Sequence, residues 1–395
     1  MQPSAAIIGA GPAGAAAAVL LARAGWRTTL LESRPFPRIK VCGECISPAA
    51  TPQLHRLLPP EHLRRLGAVP VSTFSLHLHQ PSSTRTLSWH MPAPTWALSR
   101  GTLDLALTTL ARDAGAVIAQ PATVRAVHYH ADHVALTTAD GHTLTADLVI
   151  HADGVGRHDA PPAPPAPPAP TPTPSRPGVL GLKCHLRPPT PFTDLAMHAL
   201  PAGAGYLGTV PIEDNLVTVA LVARTSALEP FGNDFDAALT ALWPGFDPAW
   251  RLAAASPWVA CGVAASGYRP PGHLRSFRIG NAAAAVEPVG GEGIGNALWA
   301  AETLTGLLTA AAPLSCASLT AAQHALARAY RARVRVRRPA CRTLAEVLMR
   351  PRLLGALWPL LQAAGTADRA PHAQPAPGAP WVMAPWWHLL GKAGG

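Results

Sequence analysis

The sequence predicts an α/β (α+β composite) fold: a nucleotide-binding βαβ unit interleaved with an antiparallel sheet and followed by a helical C-terminal region. Three observations predict it. GAGPAG separates a short apolar strand from an alanine-rich helix near the N-terminus. Strand-like alternating runs occur at 71–90 and again after Gly178, and an arginine-rich helical stretch then runs to about Gly365. At 395 residues the chain can form two to three domains or one large composite one.

The first element is the strand SAAII. The glycine turn follows, then the helix AAAAVLLARAG ending at Gly25, then the strand TTLLE closing on Glu32, which together make a βαβ opening. Pro12 suits the first helical turn, where its missing N–H has no partner to lose. Ser47 and Pro48 read as an N-cap and first-turn pair starting a helix to about Leu58. Between Val71 and His90, FSLHLH and TRTLSWH alternate around PSS like a hairpin. SRGTLDLALTTLARDAGA returns to helical spacing, and short strands follow near Ala122–Tyr129 and His133–Thr138 before the apolar strand ADLVIHADG. The stretch 160–177 is proline-dense and reads as an exposed polyproline-II linker. GVLGLKCHL, DLAMHAL, GYLGTVP and LVTVALVA then repeat the strand pattern, after which LRSFRIGNAAAAVEPVGGEGIGNALWAAETLTGLL reads as strand, glycine loop and long helix. A second Pro/Ala-rich stretch leads to a tail bearing Trp381, Trp386 and Trp387.

Composition limits the function classes. Charged residues make up 14% of the chain and no run of about 18 apolar residues appears, which argues against a spanning helix. The N-terminus lacks the basic and apolar regions of a signal peptide, so a cytoplasmic location is the expectation. The net charge of +10 comes from 29 Arg and 3 Lys, without the basic–aromatic interleaving of a nucleic-acid-binding face, so no nucleic-acid partner is expected.

Gly9, Gly11 and Gly14, with Ala13 in the first helical turn, form G-x-G-x-x-G after a strand and at the opening of a helix, the Rossmann-like context. The first glycine allows the tight turn, the second lets a pyrophosphate approach, and the third lets helix and strand pack closely. The helix N-terminus then offers unpaired N–H groups to the phosphates. Glu32 ends the next strand, where an acidic side chain accepts hydrogen bonds from an adenosine ribose.

With these motifs the chain resembles the FAD-dependent p-hydroxybenzoate hydroxylase superfamily, and within it the geranylgeranyl reductase-like group, from Ala5 to about Leu308 apart from the proline insert. The resemblance implies FAD as cofactor and NAD(P)H as transient reductant. Arg100, in LSRGTLDLAL, resembles the flavin-contacting arginine, and Asp153 with Gly154 the strand-end Asp-Gly motif. Gly280-Asn281 followed by Pro288, Gly291 and Gly293 resembles the late flavin loop, with Asn281 where the family has Asp. The resemblance implies that Asn281 meets the ribityl chain and that N–H groups near Gly293 and Ile294 face the flavin pyrimidine. Asparagine keeps a hydrogen-bonding oxygen and amide but loses the charge.

KVCGECISP holds Cys42 and Cys45 as a C-x-x-C pair. A zinc site needs about four ligands, and neither a second pair nor partner carboxylates for His77, His79, His128, His130 and His133 are apparent, so no metal is expected. A disulfide reductase using Cys42 and Cys45 also begins with a dinucleotide motif, but no second glycine-rich nucleotide fold follows Gly178. The resemblance instead aligns Lys40, Cys42, Gly43 and Glu44 with a Lys-x-Cys-Gly segment bordering the flavin and substrate cavity. Tyr206 to Pro211 resembles that group's substrate-sheet segment, without its tryptophan and with more room at Gly208; an edge strand ending at proline fits the same residues. Glu44, Cys42 and Tyr206 are the candidate cavity groups or proton donors.

The expectation is therefore an FAD-dependent oxidoreductase acting on an apolar polyketide- or isoprenoid-like small molecule. Superfamily breadth favours monooxygenation, and the Lys-x-Cys-Gly-Glu segment favours double-bond reduction. The alternatives are the disulfide reductase and a non-catalytic flavin-fold protein that binds ligands or membranes. Seven arginines lie between Arg328 and Arg342, with Arg331, Arg335, Arg338 and Arg342 spaced for one helical face. That face is either solvated or in peripheral contact with an anionic membrane. The expected boundaries are 1–70, 91–159 and 270–310 for the flavin domain, 71–90 and 178–269 for the substrate domain, 160–177 for the linker, 311–365 for the helical region and 366–395 for the tail.

Overall fold

A computed structural model describes residues 2–80, 82–154, 177–190, 192–252, 257–263, 267–270, 272 and 274–366. The expected linker and tail lie outside these residues, apart from Pro177 and Thr366. The chain runs β1 (Ser4–Ile8), α1 (Pro12–Arg23), β2 (Arg27–Leu31), β3 (Cys45–Ile46), α2 (Thr51–Leu57), α3 (Pro60–Arg65), β4 (Val69–Gln80), β5 (Ser83–Ala97) and α4 (Arg100–Asp113). It continues with β6 (Val117–Ala119), β7 (Val124–Tyr129), β8 (Val134–Thr138), β9 (Thr143–Ala146), β10 (Leu148–His151), β11 (Val179–Leu186), β12 (Leu195–Ala199), β13 (Gly205–Pro211) and β14 (Val217–Arg224). The remainder is α5 (Thr225–Leu228), α6 (Phe235–Leu242), α7 (Ala249–Leu252), β15 (Val259–Gly262), β16 (Ser276–Arg278), α8 (Gly293–Ala310), α9 (Cys316–Leu348) and α10 (Pro351–Thr366).

The nucleotide-binding half is a parallel sheet of order β16-β10-β1-β2-β6. Its strands are apolar on both faces because both are covered. On one face α1 lies between α4 and α8, and its run of buried alanines, Ala13 and Ala15 to Ala18, allows the close approach. On the other, Ala6, Ile8 and Val149 pack against the meander β7-β8-β9 through Val124, Val134 and Leu136.

The second sheet has the order β15-β11-β14-β13-β12-β4-β5-β3. It is not purely antiparallel as the sequence suggests, since β12 pairs with β4 in parallel. Alternation along the strands gives it two faces. Leu182, Cys184, Leu207, Val219 and Leu221 pack outward against Leu239, Trp243 and Phe246. Leu76, Leu78, Ala199, Tyr206 and Val222 point inward, under Leu344, Leu348 and Trp358 of the C-terminal helices.

α9 joins the two halves. Ser315 caps it by accepting from Ser318 N, its Leu319, Leu326, Tyr330 and Val334 enter the nucleotide-domain core, and Cys341 to Leu348 enter the core under the second sheet. Arg331, Arg335 and Arg342 are exposed and Arg338 is half-buried, while Arg333 and Arg337 turn inward.

Three local expectations need correction. Ser47 makes no side-chain cap: Pro48–Ala50 form a 3₁₀ turn, and α2 and α3 follow as separate helices split by Pro59 and Pro60. The hairpin strands are longer than the 71–90 pattern, reaching Val69 and Ala97, because Val69, Pro70 and Val71 pair with Ala97, Trp96 and Thr95 beyond a register shift between Val71 and Thr73. The boundary placed at Pro70/Val71 and His90/Met91 therefore falls inside two continuous strands.

Candidate functional site

The phosphate cradle lies where β1 feeds α1. Pro12 occupies the first turn, and the N–H groups of Ala13 and Gly14 precede the first intrahelical donor, Ala15 N to Gly11 O at 2.9 Å. A Cβ on Gly14 would stand 1.9 Å from Gly9 O, so only glycine permits this packing. A Cβ on Gly11 would instead meet two guanidinium ends, Arg100 Nη2 at 3.7 Å and Arg38 Nη2 at 3.8 Å. Two cations and a helix N-terminus thus converge on one backbone position, an arrangement suited to a pyrophosphate.

Buried carboxylates fix both arginines. Asp104 is fully buried and accepts from Arg100 Nε at 2.8 Å and Nη2 at 2.7 Å, and it pairs with Arg38 at 3.3 Å. Arg38 also pairs with Glu32 at 3.3 Å, and its buried Nε has no hydrogen-bond partner among the described residues. Glu32 accepts from Ala10 N at 2.9 Å and Arg34 N at 3.1 Å, which holds its carboxylate at the end of β2. The orphaned Arg38 Nε and the open side of Gly11 fit a bound dinucleotide. Arg38 was not singled out in the sequence; its signal was an arginine following the acidic end of β2, close to the Lys-x-Cys-Gly segment.

The start of α4 is held from two sides. Ser99 caps it through Thr102 N, Glu213 accepts from Ser99 N at 2.9 Å and from Thr102 Oγ1 at 2.7 Å, and Glu44 Oε1 accepts from Arg100 N at 2.5 Å. Glu44 is fully buried and adopts φ +57°, a left-handed conformation uncommon for this residue. Its carboxylate also accepts from Lys183 Nζ, from His185 Nε2 at 2.7 Å and from Thr218 Oγ1 at 2.6 Å. Although burial alone raises a carboxyl, the His185 hydrogen bond, the Lys183 charge and the Arg100 N–H outweigh it and hold Glu44 down at about 2. Glu44 is thus an ionised acceptor, and as a cavity proton donor it is corrected to a buried tie between the 40–44 loop and β11 and β14. Lys183, His185 and Thr218 were missed in the sequence because they lie over a hundred residues away from Glu44 and only strand pairing makes them neighbours.

Beside that tie the inner face of the sheet opens. Lys183, Ala220, Gly208, Met197 and Leu76 stand in register across five strands. Ala220, Gly208 and Met197 are partly exposed, although these strands are central and their outward neighbours Val219, Leu221 and Leu207 are buried. A Cβ on Gly208 would meet nothing nearer than 3.9 Å. In the next row Val222, Tyr206, Ala199 and Leu78 are closed by the C-terminal helices, and Gly181 is covered by Val41 and Val263. Tyr206, 3% exposed, belongs to that closed row, so the opening belongs to Gly208 and not to Tyr206.

Two loops lie against the inner side of this sheet. The 40–44 loop crosses β11, with Val41 Cγ1 3.5 Å from the place of a Cβ on Gly181. In this loop Cys42 Sγ accepts from Glu44 N at 3.3 Å and lies against the Arg100 guanidinium. The second loop, 288–293, begins with Pro288 in a 3₁₀ turn and brings Val289 into the cluster under the sheet. Gly291 has φ +62°, and a Cβ there would come within 2.9 Å of Cys45 Sγ. Gly293, exposed and with open space around its α carbon, starts α8, and Ile294 is buried behind it. Asn281 is exposed in the turn Gly280–Ala282, where Gly280 N donates to Tyr330 Oη at 2.9 Å. Asp153 is half-buried just beyond β10.

The two cysteines of C-x-x-C are separate free thiols. Burial pushes Cys45 up to about 12, which keeps it protonated and unsuited to attack a disulfide. Among the described residues no group of His, Cys, Asp and Glu has the arrangement of a metal site. His77, His79 and His198 instead stack on the outer face, with His79 Nε2 3.0 Å from His198 Nδ1.

Residues 3–160 match the family model described as FAD binding domain. The menaquinone reductase of Mycolicibacterium smegmatis (strain ATCC 700084 / mc(2)155) is 28% identical over 388 residues, covering 91% of this chain and 88% of that protein. The menaquinone reductase of Mycobacterium tuberculosis (strain ATCC 25618 / H37Rv) is 34% identical over 157 residues, a match spanning 38% of this chain and only 36% of that protein. Among solved structures, PqsL, a probable FAD-dependent monooxygenase from Pseudomonas aeruginosa, superposes with a TM-score of 0.68 at 15% identity, covering 91% of this chain and 100% of that one. The cradle at Gly11, Arg38 and Arg100 is therefore part of an FAD-binding domain, and the fold is that of FAD-dependent oxidoreductases of the p-hydroxybenzoate hydroxylase type.

Proposed function

We propose that this FAD-dependent oxidoreductase takes electrons from NAD(P)H and reduces a carbon–carbon double bond in an apolar, isoprenoid-like small molecule such as the side chain of a prenylated quinone. The observation that carries the reading is the opening at Gly208, Ala220 and Met197, on the sheet face against which the two loops lie and with Glu44 sealed away from it. A wall of that kind favours an apolar ligand and excludes water. The relative that spans most of this chain, named a menaquinone reductase, supports the same substrate class.

FAD supplies the two-electron chemistry when bound. Gly11, Arg38 and Arg100 would hold its pyrophosphate, and Glu32 would accept from its ribose. Asp153, Asn281, Pro288 and Gly291 would line the rest of the cofactor site, and the α8 start at Gly293 and Ile294 would favour negative charge there. Of the three candidate cavity groups only Cys42 is partly exposed, so it is the group left to supply a proton at Sγ. A surface of Arg331, Arg335, Arg342 and exposed Val336, Leu353 and Leu360 supports peripheral contact with an anionic membrane, from which an apolar substrate is reached. Among the described residues no helix is long and apolar enough to cross one.

The test is anaerobic turnover of the FAD-loaded protein with NAD(P)H and a prenylated naphthoquinone, with products read by mass. The expected product gains a pair of hydrogens in the prenyl chain. A product formed only in air and carrying an added oxygen atom would replace reduction with monooxygenation.

A further inference from the structure

We propose that Glu292 takes up one solvent proton when the neighbouring bound flavin is reduced, and returns it on reoxidation. The proposal rests on the flavin position read above, with the ring over the 288–293 loop.

Glu292 stands between Gly291 and Gly293, immediately before α8, and is 1% exposed. Its Oε1 has no hydrogen-bond partner among the described residues. Its Oε2 lies 3.3 Å from Arg337 Nε, which itself makes no hydrogen bond, so the contact is a charge pair without directed bonding. A native interior seldom leaves a carboxylate so poorly satisfied, and such groups call for an explanation.

The groups facing it come from three elements. α9 contributes Arg337, Arg333 and Cys341; β3 contributes Cys45; and Glu287, on the loop before Pro288, shares Cys341 as a neighbour. Arg333 is largely engaged elsewhere, with Nε on Asn296 Oδ1 at 2.7 Å and its guanidinium 4.6 Å over the Trp299 ring. Burial raises the Glu292 carboxyl, and Arg337 and Arg333 only partly offset this. The carboxyl is therefore raised above the ordinary glutamate range, and a negative charge added nearby raises it further and favours its protonated form.

Hydride from NAD(P)H carries two electrons and one proton to the flavin, which gains one negative charge. A like charge appearing near Glu292 favours its neutral form, so a proton from solvent forms an O–H bond at Oε1 and the site regains its former net charge. On reoxidation the two electrons leave the flavin together with the proton that arrived in the hydride, and Oε1 releases its own proton to solvent. Glu292 is thus a charge-balancing residue, acting on the potential of the flavin without touching substrate.

The test is spectroelectrochemical titration of bound FAD from about pH 6 to about pH 9 in the FAD-loaded full chain, for wild type, E292Q and E292D. Over part of that range wild type and E292D are expected to take up one proton per two electrons more than E292Q. Superimposable potential–pH curves for wild type and E292Q, with FAD bound in both, would overturn the proton coupling and leave the flavin reading intact. If E292Q does not hold FAD, R337Q serves: losing the cation should move the extra uptake to higher pH, and an unmoved window overturns the proposal. A wild-type protein that holds no FAD would overturn both readings.

Discussion

Two glutamates at the ends of two loops, Glu44 and Glu292, are almost equally buried, at 0% and 1% exposure, yet they are held in opposite ways. Glu44 has four donors from three elements: Arg100 N at the start of α4, Lys183 and His185 on β11, and Thr218 on β14. Among the described residues Glu292 has one ion-pair contact, Arg337, and an oxygen without a hydrogen-bond partner. The first is held ionised and joins the FAD-binding domain to the second sheet. The second keeps the capacity to change state. Burial alone therefore does not decide whether an acid is structural; the number of directed donors does.

The largest expected effect breaks the first of these. Glu44→Gln should destabilise the fold by about 3–5 kcal/mol, because it leaves Lys183 buried without an anionic partner, and denaturant unfolding measures it. A double variant Glu44→Gln with Lys183→Met should recover part of that loss. pH separates the same interaction. A carboxyl lowered to about 2 from its ordinary 4.5 contributes stability that is fully present above about pH 4.5 and is lost as pH falls through 2. Unfolding curves of Glu44→Gln should therefore lack most of the wild-type decline in that window.

Arg38→Met comes next. It removes one of two cations at the pyrophosphate, and charge-assisted hydrogen bonds of about 1.5–3 kcal/mol translate into roughly 10- to 150-fold weaker FAD binding. Fluorescence titration of the apoprotein reads it; unchanged affinity would place the pyrophosphate elsewhere. Smaller still is Cys45→Ser, which should leave NAD(P)H-driven turnover within about twofold, since a thiol held at about 12 does no redox work. The smallest is Asn281→Asp. An exposed side chain limits the gain, and FAD affinity should change by less than about threefold.

How much was legible in the sequence follows the same division. The cradle was readable because GAGPAG, the strand before it and Glu32 lie within one local βαβ unit, where spacing and geometry coincide. The late loop is marked by resemblance through Pro288, Gly291 and Gly293, and there the structure shows a 3₁₀ turn at Pro288 and a left-handed Gly291. The tie around Glu44 was not, because Lys183, His185 and Thr218 become its neighbours only through the pairing of β11 with β14. Tyr206 is one of three cavity candidates on the resemblance of Tyr206 to Pro211 to a substrate-sheet segment, but alternation gives Tyr206 and Gly208 the same face in different rows, and only the covering helices decide which row is closed. Glu292 was hidden for a different reason. Its flanking glycines drew attention as a flavin loop, and nothing local signals that α9 delivers Arg337 to it.

In the proposed function substrate meets the flavin at the opening beside Gly208, and Gly208→Phe fills that opening. Photoreduced, FAD-loaded wild type and variant are each mixed with a prenylated naphthoquinone without oxygen, and flavin reoxidation is followed by stopped-flow absorbance. The prediction is rapid reoxidation in wild type and at least about tenfold slower reoxidation in the variant, with FAD content and reoxidation by dioxygen unchanged. Equal rates of reoxidation by the quinone in the two proteins would contradict it.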